Sequence, residues 1–107
     1  MYLFLHDSGV LEEERILIFG TLENIQHLKY SKIWVCDGTF AAVPKPFSQL
    51  FTIQRFIRGK FFPLIFCMMK KRNVLFYEKL FTFLLMQNTE LNPVSIILDF
   101  GRLRMSH

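Results

Sequence analysis

A lone carboxylate inside an apolar, strand-forming run constrains this chain more than any other feature. The run is Trp34-Val35-Cys36-Asp37-Gly38-Thr39-Phe40. Ile33 to Cys36 and Thr39 to Val43 are β-branched, aromatic or small, which suits extended backbone. An ionised Asp in such a run is costly unless something pairs with it or is coordinated by it. Two readings follow. Asp37-Gly38 between two apolar runs is a strong hairpin signal, and by itself the commoner explanation. The other is a carboxylate held on a rigid strand to bind a metal ion.

A second carboxylate bears on that choice. Ser95-Ile96-Ile97-Leu98-Asp99-Phe100 is a short apolar run ending in Asp. Such an Asp can also open a turn or cap a helix. If the strand that carries Asp37 and the strand that ends at Asp99 are neighbours, the two carboxylates can share a divalent cation.

The rest of the chain reads in order. Residues 1–14 form a lead-in, with a turn at Asp7-Ser8-Gly9 and an acidic run at Glu12-Glu13-Glu14. Arg15 to Gly20 reads as a strand. Thr21 caps a short helix with Glu23 in its first turn, where an acid favours the helix dipole. Leu22, Ile25 and Leu28 recur at helical spacing, and the helix ends near Tyr30-Ser31. Ile33 to Val43 is the strand with Asp37. Pro44-Lys45-Pro46 is a loop, since proline cannot continue a ladder. Gln49 to Ile57 and Phe61 to Met69 form an antiparallel hairpin about Arg58-Gly59. Pro63 predicts that the second of these strands lies at a sheet edge. Asn73 caps a helix from Val74 to about Gln87, with Phe76, Tyr77, Leu80, Phe81, Phe83 and Leu84 facing the sheet and Glu78, Lys79 and Thr82 facing water. Asn92-Pro93 breaks the chain before a last strand, Val94 to Leu98. Gly101-Arg102-Leu103-Arg104 is a basic tail.

The expected pattern is therefore β-α-β-β-β-α-β in one α/β domain. A chain of 107 residues that is 51% hydrophobic, with 13 Phe, excludes disorder and supports a real core. Charge is unevenly spread. Residues 1–30 hold five acids against two bases, and the remainder holds eleven bases against four acids. A basic body suits a polyanion, though it equally describes a solvated surface. Cys36 and Cys67 sit in apolar runs without a metal-ligand spacing partner and read as buried free thiols. The longest apolar run, Phe61 to Met69, is far short of the ~20 residues that cross a bilayer, so no membrane partner is expected. Met1 to Leu5 is too short for a signal peptide.

Several blocks of the sequence resemble the transposase domain of Mutator-like elements. They are Trp34, Asp37-Gly38-Thr39-Phe40, Pro44-Lys45-Pro46-Phe47, Gln49-Leu50-Phe51-Thr52-Ile53, Pro63-Leu64, Tyr77 and Asp99-Phe100. Their order and spacing are similar to the family's from about Arg15 to Asp99, which is the front part of the family domain. The resemblance implies an RNase H-like core: a mixed sheet of three antiparallel strands, a crossover helix and a fourth, parallel strand beside the first. It implies that Asp37 and Asp99 are the first two of three catalytic acids holding Mg²⁺ or Mn²⁺ for phosphoryl transfer on DNA, in the nucleus. The family's third acid is a Glu on a helix beyond the second. No acidic residue follows Asp99 here, and Gly101 stands where the family often has Glu. The expectation is a DDE-type transposase fragment, residues 15–107, that is catalytically incomplete by itself. The alternative is a non-catalytic, transposase-derived module that binds DNA or protein. An exposed edge at Val94–Leu98, inviting self-association, is expected on the same grounds.

Overall fold

The computed structural model describes residues 3–9, 13–39, 43–71 and 73–98. Among them the strands form one six-stranded mixed sheet with two helices. The elements are β1 (Leu3–Asp7), β2 (Ile16–Gly20), α1 (Leu22–Lys29), β3 (Ile33–Thr39), β4 (Gln49–Ile57), β5 (Lys60–Met69), α2 (Val74–Gln87) and β6 (Ser95–Leu98). The sheet order is β1-β2-β5-β4-β3-β6. All neighbours are antiparallel except β3 and β6, which are parallel.

Alternation along the strands sorts the side chains to two faces. Cys36, Ile53 and Ile65 are cross-strand partners on one face, as are Phe51, Cys67 and Ile18. Together with Ile25 and Leu28 of α1 and Phe76, Leu80 and Leu84 of α2 they form a single buried cluster. Both helices therefore cover the same face. Burial of a side chain such as Phe51 contributes about 1.5–3 kcal/mol. It also pushes the Cys36 thiol up to about 12 and the Cys67 thiol higher still, so both are inert free thiols, as the sequence predicts.

The helix signals act as read. The Thr21 hydroxyl accepts from the Asn24 amide at 2.9 Å, and the Asn73 side chain accepts from the Phe76 amide at 3.3 Å. Each cap satisfies a backbone donor that the first turn leaves without a partner. Leu22 departs from expectation: it is 70% exposed, because it is the first helical residue and Ile25 and Leu28 alone make the buried stripe.

Two further readings differ from the structure. Leu3–Asp7, inside the expected lead-in, is a strand paired with β2. It is locked there by Asp7, which accepts two bonds from the Arg15 guanidinium at 3.0 and 2.8 Å and one from the Gly9 amide. The Arg15 bond, then the Gly9 bond, hold the Asp7 carboxyl down at about 2. Pro63 does not mark an edge, because β5 lies between β2 and β4. It is tolerated because β2 pairs only with Phe66 to Met69, and because the β4 register shifts between Ile53 and Gln54, next to the pair that Gln54 makes with Pro63. The missing N–H therefore costs no bond to β2.

β6 is held beside β3 by contacts outside its own ladder. The Val94 and Ser95 amides both donate to the Lys32 carbonyl, at 2.8 and 3.1 Å. Lys29 pairs with Glu90 at 2.7 Å, and Leu91 is buried in the core.

Candidate metal centre

β3 runs straight through Asp37-Gly38. Trp34 to Thr39 pair in unbroken antiparallel register with Arg55 to Leu50, and Asp37 lies opposite Thr52. The Asp-Gly hairpin is thereby excluded, since no turn interrupts the strand. The reason is local: Cys36 and Gly38 are buried on the helix face, which forces Asp37 to the other face. The row across that face continues from Thr52 to Phe66 and Phe19. Asp37 is half-buried there, with one carboxylate oxygen shielded from solvent.

On its other side β3 meets β6. Ile33, Trp34, Val35 and Cys36 pair in parallel with Ser95, Ile96, Ile97 and Leu98. Cys36 and Leu98 are the residues immediately before Asp37 and Asp99. Asp99 itself, with the basic tail after it, lies outside the described residues. So do Phe40 to Ala42 and Arg72.

Carboxylate oxygens are hard donors and fit Mg²⁺ or Mn²⁺ chemically. Asp37 alone does not make a centre, and the described residues contain no grouping of three His, Cys, Asp or Glu side chains around one point. A groove of about 800 Å³ lies elsewhere. It runs between the start of β2 and α2, lined by His6, Glu78, Lys79 and Phe83, and His6 stacks on Phe83 with ring centres 4.6 Å apart.

Of the other residues that carry the resemblance, Trp34, Phe51, Ile53 and Leu64 belong to the buried cluster, with Tyr77 packed against it. Trp34 donates its indole N–H to the Leu28 carbonyl at 3.2 Å and lies parallel to the Phe81 ring. Phe51 packs against Tyr77 with ring centres 5.0 Å apart. Gln49 is fully buried. Its Nε2 lies 3.3 Å from the Tyr77 hydroxyl and 3.5 Å from the Met69 sulfur, while its Oε1 has no hydrogen-bond partner among the described residues. Sequence reasoning passed over this buried amide. A glutamine at an inward position of an apolar strand was the available signal.

No family model, curated protein or solved structure matches this chain. Among the described residues no helix is long and apolar enough to cross a membrane.

Proposed function

We propose that this chain is the front part of a DDE-type transposase catalytic domain with an RNase H-like core, of the kind found in Mutator-like elements. The supporting observation is the parallel β3–β6 pairing, with Cys36 opposite Leu98. Asp37 follows Cys36 and Asp99 follows Leu98 in the sequence, so the proposal takes the two acids as a pair. Two carboxylates on neighbouring strands, at the same end of a mixed sheet, are a fitting pair of ligands for Mg²⁺ or Mn²⁺. A metal ion held there would stabilise charge on a transferring phosphoryl group of DNA. Asp37 contributes a donor on a rigid strand.

These 107 residues supply two of the three expected acids. Each 1.4 kcal/mol of lost transition-state stabilisation costs about tenfold in rate, so a gap in the ligand shell costs orders of magnitude. The expected result is weak Mn²⁺ binding, seen by titration calorimetry, that Asp37→Asn and Asp99→Asn each abolish, with no strand cleavage. A nicking assay on duplex DNA with Mn²⁺ provides the check. Cleavage by the unmodified chain that both substitutions remove would make it a working nuclease instead.

The same reading includes self-association through β6. It is an outer strand of the sheet, and Val94, Ile96, Ile97 and Leu98 are between 46% and 78% exposed. An uncharged apolar edge invites strand pairing with a second copy. Light scattering should show mass rising with concentration, and Ile97→Lys should suppress the rise. A monodisperse monomer at high concentration would exclude it.

A further inference from the structure

The β4–β5 hairpin outruns its neighbours. β3 accompanies β4 only as far as Arg55, and β2 accompanies β5 only from Phe66 onward. Phe56 to Phe62 thus form a two-stranded finger, with pairs Phe56–Phe61 and Ile57–Lys60. A two-strand ribbon has little core of its own. Phe56, Ile57, Phe61 and Phe62 are 38–52% exposed there. The tip is Arg58-Gly59, with φ of 54° and 76°. Positive φ at both positions is the turn that matches strand twist, and it favours Asn-Gly. An arginine in this conformation is strained, yet it puts a cation at the outermost point.

Charge on the finger has one sign. No acidic residue occurs from Gln49 to Lys71. Arg55, Ile57, Arg58, Lys60 and Phe62 line a groove of about 470 Å³ on one side of it. Arg55 is positioned by its neighbours: its guanidinium sits 5.7 Å from the Phe62 ring centre, and Nη1 lies 3.5 Å from His27 Nδ1 on α1. Of the α1 side chains near it, Glu23 is drawn to His27 at 3.7 Å. The opposite side carries the Phe56–Phe61 pair, ring centres 4.9 Å apart.

We infer that this finger is a binding site for single-stranded nucleic acid, in which Arg55, Arg58 and Lys60 contact phosphates and Phe62 offers a face for an unpaired base. Cations interleaved with exposed aromatic rings are what such ligands need, because every base has a π-face and every linkage a negative charge. The order of residues along the finger opposes the other natural reading, a membrane anchor. An anchor puts its apolar side chains outermost and its cations behind them. Here Arg58 and Lys60 are at the tip and the phenylalanines are behind. The finger stands at the opposite end of the sheet from Asp37, about 20 Å along β4 from Thr52 at 3.3 Å per residue. It does not depend on the catalytic reading.

The test is fluorescence polarisation of a labelled twelve-residue oligothymidylate with the full chain. Three phosphate contacts to a single strand predict a slope of log affinity on log salt of about −2. Arg58→Glu with Lys60→Glu should weaken binding at least about tenfold and flatten that slope to about −0.7. Phe62→Leu should cost about fivefold or more through lost stacking, with the slope unchanged. Arg58→Asn should weaken binding while raising the melting temperature, a split that a purely structural turn would not show. Circular dichroism checks that each variant folds. Wild-type affinity in the charge-reversed variant overturns the inference, as does tighter binding to the matching duplex. Binding to phosphatidylserine vesicles without binding to the oligonucleotide overturns it too. Failure of the catalytic reading is seen separately, in Mn²⁺ titrations of Asp37→Asn.

Discussion

The inner half of the β4–β5 hairpin, Gln49–Ile53 with Ile65–Met69, and its outer half, Phe56–Phe62, are made of similar residues and meet different fates. Phe51 is fully buried, whereas Phe61, in the same ladder, is 52% exposed. Both halves are apolar, and both pair across the same two strands. What differs is the flank. The inner half has β2 on one side, β3 on the other and α2 above it, while the outer half has none of these. Hydrophobicity sets how much burial a residue can use, and neighbouring elements set how much it receives.

The largest expected effect tests that contrast directly. Phe51→Ala should cost about 3–5 kcal/mol, enough to unfold much of a domain of this size. Phe61→Ala should stay within about 0.5 kcal/mol of the unmodified chain, as exposed substitutions do. Urea unfolding of both variants decides it, and comparable losses would break the comparison.

A second measurement probes the flank itself. The inner half depends on β2, and β2 is tied to β1 by Asp7 and Arg15. The Asp7 carboxyl is held down at about 2 from an ordinary 3.8, so it favours the folded state above pH 3.8, and that contribution is lost as pH falls toward 2. The melting temperature should therefore fall more steeply between pH 4 and 2 in the unmodified chain than in Asp7→Asn. Hydrogen exchange should show the extra loss in β1, β2 and the inner half, leaving the finger unchanged. The smallest expected effect is at the tip. Relieving the left-handed Arg58 with asparagine should stabilise the chain by up to about 1 kcal/mol, measured as a shift in urea midpoint.

The candidate site was legible in part. The cost of a carboxylate in a strand pointed to Asp37, and β3 indeed passes through it. That β3 and β6 would be parallel neighbours came from the family resemblance rather than from local pattern. Asp99 lies outside the described residues. The finger left signals that sequence reading did not use: unbroken absence of acids from Gln49 to Lys71, and Arg where Asn suits the turn.

By itself the sequence determined what is local. Asn73 caps the start of α2, and the helix spans Val74–Gln87 as read. Thr21 starts α1, and Arg58-Gly59 sets the β4–β5 turn, because caps and turns depend on residues a few positions apart. Tertiary structure decided what is not local. Pro63 signals an edge in any single-strand reading, yet β5 is interior, and the proline is tolerated because β2 ends before reaching it. Leu3–Asp7 becomes a strand only because β2 offers a ladder and Arg15 a partner. Which neighbour a strand receives is a property of chain segments far apart in sequence, so Phe51 and Phe61 could be told apart only in the folded sheet.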